Sequence, residues 1–189
     1  MVYDEKIMNS ENHILIAMPR LEDPLFAKTV VYMCDHTKKG AMGMIVNRPL
    51  DVKLGDLLDQ LSINPSADCN TDIALYFGGP VLPQCGFVLH RGMPWDHSIE
   101  VDHDFHVTTS QDILHAIAAN EGPEQFLIAL GYSGWDPGQL ENEMKENIWL
   151  NAPVAQSLLF DVAPEKRWET SVQTFGIELA QLSGIAGHA

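Results

Sequence analysis

The sequence predicts an α+β fold: a compact, mixed and largely antiparallel β-sheet with helices packed against it. Short apolar runs rich in β formers outnumber the segments with helical spacing. Several of those runs are joined by turns too short for a parallel crossover. The chain has 189 residues, 46% hydrophobic and 20% charged, which suits one domain over 1–189 with its ordered body at about 12–177.

Residues 13–18, HILIAM, read as a buried strand, and PRLEDP breaks it with two prolines. LFAKT reads as a brief helical turn. VVYMCD (30–35) is rich in β formers, HTKKG is a turn, and AMGMIVN resumes the apolar run, so the three read as a hairpin that Pro49 ends. In DVKLGDLLDQLSI, Leu54, Leu57, Leu58 and Leu61 fall on one helical stripe, with Asp51 as the expected cap. NPSADCNTD is a loop. IALYFGG reads as a strand stopped at Gly-Gly-Pro, with FVLH as its partner.

RGMPWDHS is a loop, and SIEVDHDFHVTTS holds two β-like runs. Ser110 is the expected N-cap of QDILHAIAAN, where Ile113, Leu114 and Ile117 share a face. Glu121-Gly122-Pro123 stops it, and FLIALGY is the next strand. Asp136 followed by Pro137 reads as a helix start, with Gln139 as capping-box partner. Leu140, Met144 and Ile148 line its inner face; Glu141, Glu143 and Glu146 face water, with Glu141 and Lys145 paired four apart. IWL is a short apolar run. The last helix follows Pro164, with Trp168, Val172 and Phe175 inward and Gly176 as C-cap. ELAQLSGIAGHA is weakly patterned.

Charge narrows the function. Eleven Lys and Arg against 26 Asp and Glu give a formal −15, and no basic stripe offsets it. Direct nucleic-acid binding is disfavoured on that ground. No apolar run reaches the roughly 18–20 residues of a membrane span, and the N-terminus lacks a signal-peptide pattern. Cys34, Cys69 and Cys85 form no zinc or redox motif, so a cytoplasmic location is expected.

Catalytic motifs fail on inspection. Gly131-Tyr132-Ser133-Gly134 carries its second glycine one residue too early for a nucleophile elbow, with Trp135 in its place. His90, His97, His103 and His106 lie close in sequence among Asp96, Asp102 and Asp104. On a continuous strand, however, His103 and His106 point to opposite faces, leaving Asp102, Asp104 and His106 on one. No metal site, no cofactor and no catalytic residue is expected. Asn47-Arg48-Pro49 sets a guanidinium beside a strand end, which fits an acidic ligand or an ordinary surface turn.

ILIAMPRLEDPLFAKTVVYMCDH, GAMGMIVNRPL, FGGPV with GFVLH, TTSQDIL, LGYSGWDPGQLENEM through NIWL, and RWETSVQTFGI occur in that order. Together they resemble the YqgE/AlgH family of bacterial proteins, from about Asn12 to Ile177. The resemblance implies a compact cytoplasmic α/β body and brings no reaction with it. The AlgH name implies a link to regulation of alginate synthesis in one lineage, which points to an indirect regulatory route. On the positions that look family-like, or sit in the two glycine turns, the candidate ligand-binding residues are Asp35, His36, Asn47, Arg48, Gly78, Gly79, Tyr132, Trp135, Gln139, Glu143 and Asn147. The leading expectation is a non-enzymatic binding or regulatory protein with an unknown protein or small-molecule partner. The rivals are an enzyme or sensor with a pocket near FGGPV and GYSGW, and a transcriptional regulator.

Overall fold

The computed structural model describes residues 12–102 and 104–175. The elements run β1 (His13–Ala17), β2 (Val30–Thr37), β3 (Gly40–Ile45), β4 (Pro49–Lys53), α1 (Leu54–Gln60), β5 (Ala74–Phe77), β6 (Val81–Arg91), β7 (Ser98–Glu100), β8 (Phe105–Thr108), α2 (Asp112–Ala118), β9 (Phe126–Trp135), α3 (Gln139–Lys145), β10 (Trp149–Pro153), α4 (Gln156–Phe160) and α5 (Pro164–Thr174). The predicted α+β class is correct. One sheet runs β10-β1-β2-β3-β9-β6-β8-β7, with β5 and β4 branching from β9. Its pairs are antiparallel except β5 with β9.

Alternation sorts the strands onto two faces. Ile14, Ile16, Val30, Tyr32, Phe87 and Val107 pack on one face with Leu159 of α4 and Trp168 of α5. On the other face Leu75, Val88 and Ile128 pack with α1 and α2, while Val31, Met33 and Trp135 pack with Leu140 of α3. Trp168 Nε1 donates to the Ala17 carbonyl at 2.8 Å, tying α5 to β1. Among the described residues no helix is long and apolar enough to cross a membrane.

Five local expectations are corrected. Pro49 opens a strand instead of ending one, because among the described residues β4 pairs with β5 alone and an edge strand tolerates a missing N–H. Asp51 therefore lies inside β4, and the α1 cap is Lys53, whose N–H donates to the Asp56 carboxylate at 2.8 Å. FVLH does not pair with IALYFGG; β9 is inserted between β5 and β6. Ser110 does not cap α2; its hydroxyl engages Asp96 O and the Asp112 carboxylate, and Gln111 is the N-cap. Asp136 is not the N-cap of α3. Gly138, at φ 78°, takes that place, although the Asp136 N–H does donate to Gln139 Oε1 at 3.0 Å. His103, Gly176 and the segment 176–189 lie outside the described residues.

Candidate functional site

The site is built at a backbone crossing. β5 lies parallel to β9, with Tyr76 beside Ala129 and Phe77 beside Leu130. The two glycine-bearing runs are thus neighbours. Gly78, Gly79 and Pro80 then pass over β9, and β6 starts on its other edge with Val81 opposite Tyr132. A Cβ on Gly79, at φ 152°, would overlap the Tyr132 carbonyl, and one on Gly78 would overlap the Gly131 carbonyl. Gly131, at φ 72°, would strike Gly79. These glycines are required because one backbone lies directly on another. Gly78 N–H donates to Leu130 O and Ile45 N–H to Gly78 O, both at 2.9 Å, so the crossing also hands β9 from β5 to β3.

Gly131 also resets the alternation. Leu130 packs with the α1–α2 core and Trp135 with the α3 core, on the same side of the sheet, although five residues apart. An odd spacing changes face in a regular strand. The αL residue between them restores it.

Behind Trp135 the sheet is closed. Glu143 was expected to face water; it is half-buried, and its Oε2 accepts the indole N–H groups of Trp135 and Trp149, each at 2.8 Å. Its Oε1 accepts from Gln139 Nε2 at 2.8 Å. The two indoles meet edge to face at 6.0 Å. Next to them, a bulge between Met33 and Asp35 turns buried His36 toward α3, where its Nε2 lies 3.1 Å from Glu141 Oε1. Glu141 thus meets His36 and not the expected Lys145. Three carboxylate and imidazole groups of α3 and β2 tie the helix down.

On the opposite face the same strands stay open. Asp35, Met42, Val81, Tyr132 and Gly134 line a concavity of ≈ 380 Å³, rimmed by Thr37, Lys39 and Asp136. Gly134 is exposed and sits next to last in β9, so its missing side chain leaves floor space in front of the Tyr132 ring. Tyr132 is braced edge to face by Phe87 at 5.7 Å. The result is an aromatic and thioether wall beside a carboxylate, with an ammonium at the rim. Such a surface suits a flat or amphiphilic group with one polar end.

The structure therefore divides the sequence-derived candidates. Asp35 and Tyr132 meet at the concavity; Trp135 borders it along β9 but turns its indole to the closed face, where His36, Gln139 and Glu143 also stand; Gly78 and Gly79 form the crossing. Asn47 and Arg48 lie past the far end of β3, about 20 Å from Gly40 by strand rise. There Asn47 accepts from Val30 N–H and donates to Lys28 O, at 2.8 and 2.9 Å. Arg48 donates to Pro24 O and Ala27 O, both at 3.0 Å, pinning the loop before β2. Asn147, at φ 53°, closes the C-terminal turn of α3, its N–H donating to Met144 O. Lining residues that sequence reasoning passed over are Thr37, Lys39, Met42, Val81, Gly134 and Asp136. The pairing of GAMG with SGW, visible only once β3 and β9 are neighbours, would have found most of them.

The other candidates have structural partners. Ser133 is fully buried and donates to Gly78 O at 3.2 Å, so it is part of the crossing. Burial pushes the Cys34 thiol upward. The histidine stretch is not one continuous strand: β7 stops at Glu100, and the Asp102 carboxylate accepts the N–H groups of Asp104 and Phe105. Asp104 pairs with Arg91. His90 and His106 stack across β6 and β8 at 5.6 Å, and His90 Nε2 lies 2.8 Å from Thr108 Oγ1. Burial holds the His90 imidazole below its ordinary range. Among the described residues no group of three or more His, Cys, Asp or Glu is placed to hold a metal.

Comparison with known proteins places this architecture. The chain is 46% identical to a UPF0301 protein of Shewanella sp. (strain ANA-3) over 184 residues, 95% of this chain and 98% of the relative. It is 45% identical to a UPF0301 protein of Dechloromonas aromatica (strain RCB), over 96% and 98% of the two chains. The solution structure of the AlgH protein from Pseudomonas aeruginosa superposes with a TM-score of 0.79 at 43% identity, covering 100% of both chains. A crystal structure from Corynebacterium diphtheriae shares the fold at 19% identity and a TM-score of 0.68, over 91% and 90% of the chains. The AlgH-like family model matches residues 14–180; on these matches and this shared architecture, the chain belongs to the AlgH-like family.

Proposed function

We propose that this protein is a non-enzymatic binding protein of the cytoplasm whose ligand seats in the concavity at the end of β9. The observation that carries this reading is the open face itself: ≈ 380 Å³ floored by Gly134, with Asp35 and Tyr132 held on strands that the crossing makes rigid. The non-enzymatic part is supported by the engagement of nearby reactive groups. Ser133 donates into the backbone, His36 is held by Glu141, and Glu143 is taken by two indoles. The formal −15 favours a regulatory route through a small molecule or a protein over direct contact with nucleic acid.

Thermal melting against central metabolites and nucleotides tests this. A ligand at about 100 times its dissociation constant adds ~2.7 kcal/mol and raises the midpoint by roughly 5–10 °C. That shift is expected to vanish in Asp35→Asn and Tyr132→Leu variants that still melt cooperatively. A ligand whose shift survives both substitutions sinks the placement. Turnover that is abolished by either substitution sinks the non-enzymatic reading.

A further inference from the structure

We propose a second binding site, separate from the concavity, in the cleft between α1 and α2. It is a cavity of ≈ 230 Å³ on the sheet face that those helices cover. Leu57 of α1 and Leu61 just after it, Leu114 of α2, and Leu75, Ile128 and Leu130 of the sheet form its apolar body. Its ligand is a small neutral molecule, a single substituted ring with one hydrogen-bonding head.

Three observations define that chemistry. The first is charge. The chain carries 11 basic and 26 acidic residues, yet none of the described residues lining the cleft is charged. Its polar groups are amides and hydroxyls: Gln60, Gln84 and Gln111 with Thr109 and Ser110 at the mouth. An ion entering here would lose hydration with no opposite charge to meet it. The second is size. An apolar cavity of about 150 Å³ accepts benzene, and drug-sized ligands need about 300 Å³ or more. A volume of ≈ 230 Å³ lies between these limits.

The third is the way the space is made. Gly86 faces Leu130 across the β6–β9 ladder, so a side chain there would point to the cleft side. A Cβ at Gly86 meets nothing within 4 Å. The backbone there does not need glycine, since its φ lies outside the left-handed range. At the same place β6 breaks register between Val81 and Gly86; Leu82 to Cys85 are exposed, and Pro83 and Gln84 line the cleft. A glycine that no backbone strain demands, beside a bulge that opens the ladder, keeps a preformed apolar space reachable from solvent.

Methyl NMR titration of the full chain with p-cresol tests the site, with benzoate and benzylamine as charged counterparts. The expected result is saturable shifts at the cleft leucine and Ile128 methyls, with a dissociation constant of about 1 mM or tighter. The charged probes should bind at least about tenfold more weakly. Gly86→Val fills the cleft and is expected to abolish the shifts while keeping the melting midpoint. If that variant does not fold, Leu61→Phe, at the C-terminal end of α1, narrows the cleft and carries the same readout. Gly134→Ala, in the concavity, should leave p-cresol binding unchanged, which separates this site from the one at β9. Absence of saturable shifts, equal binding of benzoate, or shifts that persist in a folded Gly86→Val or Leu61→Phe variant overturns the proposal.

Discussion

The two faces of the last third of β9 are built from adjacent residues and do opposite things. Trp135 points into a closed layer where Glu143 collects two indole N–H groups and α3 seals the sheet. Gly134 faces the other way, onto an exposed floor that no helix of the described residues lines. The same backbone thus carries a packed, polar-anchored face and an accessible one. What separates them is the crossing at Gly79 and Gly131, which fixes where the strand changes partner and parity. Rigidity on one side lets the other remain open without the strand fraying.

The strongest way to break this contrast is to disturb the crossing. Gly79→Ala places a methyl against the Tyr132 carbonyl, at a φ that an L residue rarely adopts. Backbone yields poorly there, so a loss of about 3 kcal/mol or more is expected in urea unfolding. A loss below about 1 kcal/mol would mean that the two chains can separate, and the rigid-strand argument would fail.

Next in size is the closed face. Glu143→Ala leaves the Trp135 and Trp149 N–H groups without their acceptor, a cost of about 2 kcal/mol. Glu143→Gln keeps one carbonyl oxygen for them and should cost about half as much. Urea midpoints and tryptophan emission report both. Equal stability of the two variants would show that packing of the side chain, and not the indole bonds, closes this face.

Glu143 also shows what was legible in the sequence. Its charge argued for water, yet it lies three after Leu140 and one before Met144, on the inward side of α3. Spacing was right where residue type misled. Helix stripes such as Leu54 with Leu58 and Trp168 with Val172 were readable because their partners are local. The hairpin of β2 and β3 was readable for the same reason. The insertion of β9 between β5 and β6 was not, since it joins segments about fifty residues apart and leaves no periodic trace. Of the site, Asp35 and Tyr132 were legible, with Trp135 behind them, as polar or aromatic residues beyond the needs of a turn. Met42, Val81 and Gly134 were not, because only the strand pairing brings them together.

A smaller, pH-dependent effect belongs to the closed face of the sheet at β6. Burial lowers the His90 pKa in the folded state below its ordinary 6.5. The unfolded chain then binds more protons between the two values, so stability rises with pH across that interval. The contribution is complete above about 6.5 and is lost as pH falls toward the folded value. His90→Gln should flatten the fall in urea midpoint between about pH 7 and 5. An unchanged slope would place the acid sensitivity elsewhere.

The smallest effect on stability is the sharpest test of the open face. In Gly134→Ala the new methyl lies 3.4 Å from Tyr132 Cε2 and 3.8 Å from Val81 Cγ2, ordinary contact distances. No positive φ stands in its way, and alanine gives the unfolded chain less freedom than glycine. Stability should therefore change by less than about 0.5 kcal/mol, or rise slightly. The floor of the concavity nevertheless loses its space in front of Tyr132, so any ligand found by the melting screen should weaken while the protein itself does not. The same substitution made on the closed side, at Gly43, would drive a methyl into Val31 Cγ1 at 2.6 Å and the Met33 thioether at 3.0 Å, and should cost stability directly. If Gly134→Ala destabilises as much as Gly43→Ala, the floor is packed like the rest of the sheet, and the two faces of β9 do not differ in the way that makes one of them a binding surface.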